Sequence, residues 1–291
     1  MSKLTVVVTC TNRKKSVPTQ GCSIRDLPPT INLPVRADRW LENMSGATER
    51  FRLRELYKGD AWRRSIDIER AARAKGFEVE LLVASAGLGL RSIDDVGPSY
   101  GATFSPGHPD SVGPGAEWWR AIAAGSRDRL ARAAEEGPVM FVISARYATA
   151  LEADIRYTAS KAAECLVIGG AREIPGATRV AANAALAAHF GGTLGSLNQR
   201  TARAWIDRLE SSSLIDADAQ HRWHRWVGEI GPRSMPKREP ASDSAIRHFV
   251  ARLRSRDPGI SRTRALKTLR ASGIACEQAR FAQLFEQEST G

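Results

Sequence analysis

The fold is decided by the first apolar run of the chain, LTVVVT at residues 4–9, and by the polar run CTNRKK at residues 10–15 that follows it directly. Three later runs are equally rich in Val, Ile and Leu, and they span Val79 to Ala84, Val139 to Ser144, and Cys165 to Ile168. Short apolar runs that end in small or polar residues are typical of parallel strands covered on both faces. The sequence therefore predicts a parallel four-stranded sheet.

Helical patterns occupy the gaps between these runs. The first, Asp60 to Lys75, begins at a good capping residue and ends just before Gly76. The other patterns are Glu117 to Glu136, Ala148 to Ala163, Leu197 to Ser211 and Ala217 to Ile230. Alternating strands and helices indicate a doubly wound α/β domain, with a sheet flanked by helices. Ligands of such sheets bind beyond the carboxyl ends of the strands.

A proline-rich break separates a second module from this domain. Prolines 232, 236 and 240 exclude a regular helix there, so we predict an α/β domain over residues 1–232 and a linker with a basic helical module over residues 233–291. The helices predicted beyond the break are Asp243 to Arg256, Ser261 to Ala271, and Ala275 to Gln287. Two short helices and a Gly-containing turn resemble a helix-turn-helix, and a helical cap with a solvated basic face is the alternative.

The charge of the chain favours a polyanionic partner. Its 291 residues contain 43 Lys and Arg against 32 Asp and Glu, a net charge of +11, and the tail from residue 231 holds twelve basic and six acidic residues. We therefore predict nucleic acid, DNA in particular, as the partner. The residues assigned to DNA binding are Arg13, Lys14, Lys15, Arg262, Arg264, Lys267 and Arg270.

Other classes of protein are disfavoured. The cysteines at 10, 22, 165 and 276 show no CxxC spacing, which argues against a disulfide framework or a metal site built from cysteine. The apolar run at residues 4–9 is too short for a signal sequence or a membrane span, and no other stretch approaches about 18 apolar residues. We predict a cytoplasmic protein with no cofactor, no metal, no membrane association and no obligate protein partner.

Polar side chains follow the first predicted strand. Cys10, Thr11 and Asn12 come directly after it, with three cations behind them, at the edge of the sheet where ligands bind. The segment lacks the glycines of a Walker A or dinucleotide motif. An ordinary basic loop is the alternative interpretation.

A second polar segment follows the second predicted strand. The residues from it that we assign to the substrate pocket are Ser85, Gly87, Tyr100, Thr103 and Phe104. Glycine lets the backbone approach a ligand closely, and the two aromatic rings could sandwich a planar base. Asp94 or Asp95 offers a general base or an electrostatic partner. In the alternative interpretation, Phe104 is a core residue and the two aspartates belong to turns.

A third segment, Ser144, Arg146 and Tyr147, ends the next strand with the same Ser-Ala pair as the second. These three segments are expected to converge on one pocket. The chain has five histidines, and His221 and His224 lie in a tryptophan-rich helix outside these segments, so a His-dependent triad is poorly supported.

Five motifs together resemble a family of bacterial proteins: VVVTCTNRKK (6–15), LYKGDAWRR (56–64), VASAGLGL (83–90), DDVGPSYGATFS (94–105) and VISARYATAL (142–151). That family in turn resembles the uracil-DNA-glycosylase superfamily, including phage-defence glycosylases that remove hypermodified cytosines. The resemblance spans roughly residues 4–170. It implies a glycosylase-like fold, with Asn12 where many members place the Asp or Asn that positions the hydrolytic water. Ser144, Arg146 and Tyr147 stand near a second motif that contains a His in the superfamily and none here.

The resemblance implies a DNA glycosylase that hydrolyses the N-glycosidic bond of a modified base, such as glucosylated hydroxymethylcytosine, in phage DNA and leaves an abasic site. Asn12 and Asp94 or Asp95 are then the catalytic candidates, because an oxocarbenium-like sugar needs a nearby anion and a held water. The alternatives are a catalytically silent nucleic-acid-binding or regulatory protein, and a nucleoside hydrolase or deoxyribosyltransferase. The basic tail counts against the last, since a small-molecule enzyme has no need of it.

Overall fold

The computed structural model describes residues 2–29, 31–230 and 239–287. The chain divides into two compact units, Met1–Gly231 and Pro232–Gly291. The boundary predicted between residues 232 and 233, with most of the linker, lies outside the described residues.

The first unit contains the elements of an α/β domain. Its strands are β1 (Lys3–Thr9), β2 (Phe51–Arg52), β3 (Glu78–Ser85), β4 (Gly89–Ser92), β5 (Val96–Gly97), β6 (Val139–Ile143), β7 (Cys165–Gly169) and β8 (Thr178–Val180). Its α-helices are α1 (Leu33–Gly46), α2 (Leu53–Leu56), α3 (Asp60–Ala74), α4 (Gly115–Ile122), α5 (Ser126–Glu136), α6 (Ala145–Ala150), α7 (Glu152–Ala159), α8 (Ala184–Phe190), α9 (Leu197–Asp207) and α10 (Ala217–Ile230).

The central sheet is mostly parallel and has the strand order β4-β3-β1-β6-β7-β8. The α/β class is confirmed, and the four predicted strands form the parallel centre of the sheet. The count of four was too low, because β8 extends the sheet in parallel at one edge and β4 pairs antiparallel with β3 at the other. Both edge strands are short and only partly buried, so neither shows a continuous apolar run.

The chain leaves β1 in one direction along the sheet and later crosses to the other side of β1. From β1 the chain passes through α3 to β3 on one side, and it then crosses back through α5 to β6 on the other side. By the right-handed rule for such connections, crossovers in opposite directions put α3 and α5 on opposite faces of the sheet. The direction of the connections therefore reverses between β1 and β6, which is the place where ligands of such sheets generally bind.

Two predicted helices are each divided in the structure. The pattern from Glu117 to Glu136 is α4 and α5, separated at Gly125, whose φ of +77° favours glycine. The pattern from Ala148 to Ala163 is α6 and α7, which meet at Leu151. In each case apolar residues continue at helical spacing across the break, so the sequence pattern predicts one long helix where the structure has two.

The second unit is small and helical. It contains β9 (Glu239–Pro240), α11 (Asp243–Arg256), α12 (Arg262–Ala271), β10 (Ile274–Ala275) and α13 (Gln278–Gln287). Ser242 and Ser261 cap α11 and α12 through their side-chain oxygens. The unit has a hydrophobic core of its own, built from Ile246, Val250, Ala265, Leu266, Leu269, Cys276, Phe281, Leu284 and Phe285. Its identity as a helix-turn-helix stays a prediction.

None of the helices in the described ranges is both long enough and apolar enough to span a bilayer.

Candidate functional site

The candidate site lies at the carboxyl edge of the sheet, where β1, β3 and β6 end together. Thr9 is in register with Ala84, and the backbone amide of Cys10 donates to the Ala84 carbonyl at 2.9 Å. On the other side, the thiol of Cys10 lies 3.1 Å from the hydroxyl of Tyr147, which follows β6. The segments after these three strands are thus brought together, as the sequence predicts for a doubly wound sheet.

A buried chain of hydroxyl groups forms the floor of this edge. Ser85 Oγ accepts hydrogen bonds from the backbone amides of Gly87 and Leu88 at 3.1 and 3.0 Å. Its own proton is therefore donated to the hydroxyl of Tyr100, 2.5 Å away, and that hydroxyl lies 2.8 Å from the hydroxyl of Tyr57. Burial raises the pKa of both tyrosines, so both stay neutral. Ser85 and Tyr100 are thus buried, hydrogen-bonded residues beneath the loops of this edge.

The two aromatic rings predicted to sandwich a base are packed in the core. Tyr100 is only 1% exposed, with Trp40 against its edge and Gly87 against its ring. Phe104 is 6% exposed and packs edge-to-face on Tyr147 at 4.9 Å between ring centroids. The predicted sandwich is corrected here, because Tyr100 lines the cleft with its ring buried beneath Lys14, and Phe104 is not among the lining residues. Single-sequence patterns do not distinguish a core aromatic from one that stacks on a ligand.

Asn12 projects from the loop after β1 and meets a histidine from another loop. Its amide group lies 3.3 Å from His108 Nε2, and His108 Nδ1 accepts a hydrogen bond from the backbone amide of Asp110 at 3.0 Å. A neutral imidazole with Nδ1 as acceptor carries its proton on Nε2. The amide atom that faces Nε2 is Nδ2, so two donors meet here unless the amide is turned by 180°, which places Oδ1 toward His108 as the acceptor. That oxygen has a second lone pair with which it can accept a hydrogen bond from a water.

Asp110 forms an ion pair with an arginine. Arg25 Nε donates to Asp110 Oδ1 at 2.7 Å, and a second guanidinium nitrogen binds Oδ2 in a bidentate pair. These hydrogen bonds are the main reason that the pKa of Asp110 is lowered. Gly101 packs against this carboxylate so closely that a Cβ would lie 2.9 Å from its carbon. Asp110 therefore holds the loop that carries His108.

A cleft of about 620 Å³ opens over these groups. It is lined by Asn12, Arg13, Lys14, Lys15, Ser16, Val17, Pro18, Arg25, Lys58, Gly59, Tyr100, Gly101, His108 and Asp110. Five of these residues are Lys or Arg, and the single carboxylate in this described lining, Asp110, is paired with Arg25. The cleft is therefore electropositive and suits an anionic ligand.

The other polar residues predicted for the substrate pocket form hydrogen bonds with nearby loops and helix ends. Thr11 Oγ1 donates to the carbonyl of Lys58 at 3.0 Å, which ties the loop after β1 to the start of α3. Thr103 donates its amide to the Asp110 carbonyl at 2.9 Å. Ser144 caps α6, and Arg146 donates to Ser105 Oγ at 2.8 Å. None of Ser144, Arg146 and Tyr147 is among the described residues that line the cleft around Asn12, so the expected convergence of the third segment on that pocket is corrected.

Asp94 and Asp95 lie away from Asn12, which corrects the expectation that they follow the Gly-rich turn into the pocket. The turn closes a hairpin, and antiparallel β4 leads the chain back along β3, so that Ser92 is opposite Leu82. Asp94 accepts a hydrogen bond from Arg54 Nε at 3.0 Å, and Asp95 accepts one from the amide of Ser92 at 3.0 Å. The sequence prediction missed the strand β4, and with it the direction of the chain.

The basic residues predicted in the tail lie on and beside α12. Arg262 pairs with Glu286 at 2.9 Å and Arg264 with Asp257 at 3.6 Å, while Lys267 is exposed. Arg270 donates to the carbonyl of Cys276 at 2.9 Å. A groove of about 430 Å³ in this unit is lined in part by Arg262, Lys267 and Arg270.

The structure adds cleft residues that the sequence interpretation missed, namely Arg25, Lys58, His108 and Asp110. His108 and Asp110 directly follow the Pro106-Gly107 turn at the end of the second polar segment, and continuation of that segment by three residues would have included His108. Lys58 lies within the quoted motif LYKGDAWRR but was not assigned a role, and Arg25 lies in none of the quoted motifs. Within the described ranges, no group of three or more His, Cys, Asp or Glu side chains is arranged to hold a metal ion.

Comparisons of the chain with protein-family models, with curated proteins and with solved structures find no match. The geometry of the cleft therefore carries the functional argument.

Proposed function

We propose that this protein is a DNA glycosylase that hydrolyses the N-glycosidic bond of a modified base in phage DNA and leaves an abasic site. The observation that carries the proposal is the contact between Asn12 and His108 inside an electropositive cleft. Asn12 follows a central strand at the edge where α/β domains bind ligands. The resemblance to glycosylases implies a water-positioning role for this residue.

Each group of the cleft has a place in such a reaction. The amide oxygen of Asn12, oriented by His108, accepts a hydrogen bond from the water that attacks the sugar. Arg13, Lys15 and Lys58 bind the phosphates on either side of the extruded nucleotide. Extrusion from the duplex costs a few kcal/mol, which is least for a base that is already weakly paired. Lys267 and the other basic residues of the C-terminal unit add contacts to the DNA backbone, in the manner of a helix-turn-helix.

A second function, nucleic-acid binding without bond cleavage, is favoured by one observation. The developing sugar cation of a glycosidase needs an anion close by. Among the residues that the structure describes, the one carboxylate that lines the cleft, Asp110, is paired with Arg25, and Asp94 and Asp95 lie elsewhere. A protein that only captures an extruded or single-stranded nucleotide needs no such anion.

The test is to incubate the full-length protein with unmodified DNA and with hypermodified phage DNAs, and to measure released base by mass spectrometry and abasic sites by an aldehyde-reactive probe. We expect base release from a modified DNA, its loss in Asn12→Ala, and its retention in Gln20→Ala. Gln20 is an exposed amide of the same long loop that does not line the cleft, which makes it a matched control. DNA binding without release from any substrate would replace the glycosylase with the second function.

A further inference from the structure

Lys14 differs from every other cation of the cleft in its surroundings. Its ammonium lies over the ring of Tyr100, 4.1 Å from the centroid, and 5.8 Å from the centroid of Tyr57. Its one hydrogen bond to the described backbone is long, 3.5 Å to the carbonyl of Thr11. In the described part of the chain it forms no ion pair with a carboxylate, since Asp110 is taken by Arg25.

The groups around this amine leave it poorly solvated. Burial lowers the pKa of Lys14, while the nearby Cys10 and Asp110 oppose that shift. The tyrosines beneath it are neutral, because burial raises the pKa of each. A lysine that is desolvated and lacks a counter-ion has a larger neutral fraction at neutral pH than an exposed one, and the neutral amine is the nucleophile.

Lys14 also lines the cleft in which the proposed reaction generates an electrophile. Lys14, Asn12 and His108 line the same cleft. A glycosylase leaves an abasic sugar, whose open-chain form presents an aldehyde at C1′. We propose that Lys14 is a second catalytic residue, whose Nζ condenses with the C1′ aldehyde of an abasic nucleotide, so that the protein also cleaves the DNA strand as a lyase. This inference rests on the proposed function, because abasic DNA is the product assigned to that activity.

The reaction balances without an oxidant or a cofactor. The Nζ lone pair of the neutral amine forms a bond to C1′. The carbonyl oxygen takes one proton from the amine and one from solvent and leaves as water, which yields a protonated imine. The imine acidifies C2′, whose proton passes to solvent while the electron pair forms a C2′–C3′ double bond. The C3′–O bond breaks and the phosphate leaves with its electrons. Water then hydrolyses the imine, which regenerates Lys14 and releases an unsaturated aldehyde on the upstream strand.

The test uses full-length protein and a duplex that carries one preformed abasic site, made by removal of uracil from synthetic DNA. Sodium cyanoborohydride reduces an imine to a stable amine, so that protein and DNA remain joined on a denaturing gel. We expect a covalent adduct and strand cleavage with the wild-type protein, and loss of both in Lys14→Met. Lys161→Met, a change at an exposed lysine outside the cleft, is expected to retain both.

Peptide mapping of the wild-type adduct keeps the test decisive even if Lys14→Met folds poorly. An adduct mapped to Lys14 supports the proposal, whereas no adduct, or an adduct on another lysine or on the terminal amine, overturns it. Because the abasic site is supplied ready-made, the two proposals fail separately. Trapping without base release from any DNA would reject only the glycosylase, and base release without trapping would reject only the lyase.

Discussion

The imidazole of His108 lies 3.3 Å from the amide of Asn12, although 96 residues separate them along the chain. The pair joins the loop after the central strand β1 to a loop that the bidentate contact between Arg25 and Asp110 holds in place. A side chain that is oriented in this way can position a water without changing its own charge. The consequences for activity and for stability can be tested separately.

The contact predicts coupled effects on base release. We expect His108→Ala and Asn12→Ala each to lower the single-turnover rate by about 10²–10³, the usual cost of losing a group that stabilises the transition state. In the double variant the rate should fall by far less than the product of the two single reductions, because each change already disrupts the same Asn12–His108 pair. DNA binding should change little in each variant. Multiplicative effects in the double variant would show that the residues act independently.

Asp94 and Asp95 should be dispensable for base release, because the hairpin leads both away from the cleft. We expect Asp94→Asn and Asp95→Asn to keep the wild-type single-turnover rate. Asp94 is 62% exposed and pairs with Arg54, so its loss should change the free energy of unfolding by about 0–1 kcal/mol, as for surface ion pairs. A large loss of rate in either variant, with folding intact, would show that this aspartate takes part in catalysis.

The pair between Arg25 and Asp110 predicts a pH-dependent contribution to stability. The pKa of Asp110 is lower in the folded protein than in the unfolded chain, so the stabilisation is complete above the ordinary pKa of Asp and is lost as the pH falls through the folded value. We expect Arg25→Met to be less stable than wild type at neutral pH, and the difference to shrink below about pH 4. Chemical denaturation across pH measures this. Arg39→Met, at an exposed position of α1, should show no such convergence.

Two glycines provide a matched test of the packing beneath the cleft. A Cβ at Gly87 would lie 2.4 Å from Tyr100 Cδ2, whereas one at Gly46 would meet nothing within 4 Å. We expect Gly87→Ala to lower the free energy of unfolding by about 1–3 kcal/mol, the usual cost of overpacking, and to displace Tyr100. Gly46→Ala should be neutral or slightly stabilising, because it reduces the freedom of the unfolded chain. Equal effects of the two changes would contradict the tight contact.

The C-terminal unit should be separable from the α/β unit. Each unit has its own hydrophobic core, so deletion of residues 233–291 is expected to leave a folded α/β unit that binds DNA more weakly. Binding of the full chain should fall steeply between about 50 and 200 mM salt as counterions are released, and the deletion should reduce that slope. Fluorescence anisotropy over a salt series measures both. An unchanged affinity after deletion would remove the C-terminal unit from the binding surface.

The sequence by itself determined the parts of this protein that depend on local patterning. Continuous apolar runs marked the four central strands, because a strand buried on both faces must be apolar along its whole length. The expectation of a binding edge beyond β1 followed from strand polarity alone. The start of α12 is equally legible, because Ser261, where the sequence predicts the helix to begin, caps it within one turn.

Only the tertiary structure decided which polar side chains meet. Asn12 and His108 approach each other because two loops converge, and no periodicity in the sequence records a contact across 96 residues. Asp94 and Asp95 leave the site because a short, half-buried edge strand, which lacks an apolar signature, turns the chain away from it. The burial of Tyr100 and Lys14 depends on what packs above and below them. Such contacts join residues that are distant in the chain, and only the folded arrangement brings them within hydrogen-bonding or van der Waals distance.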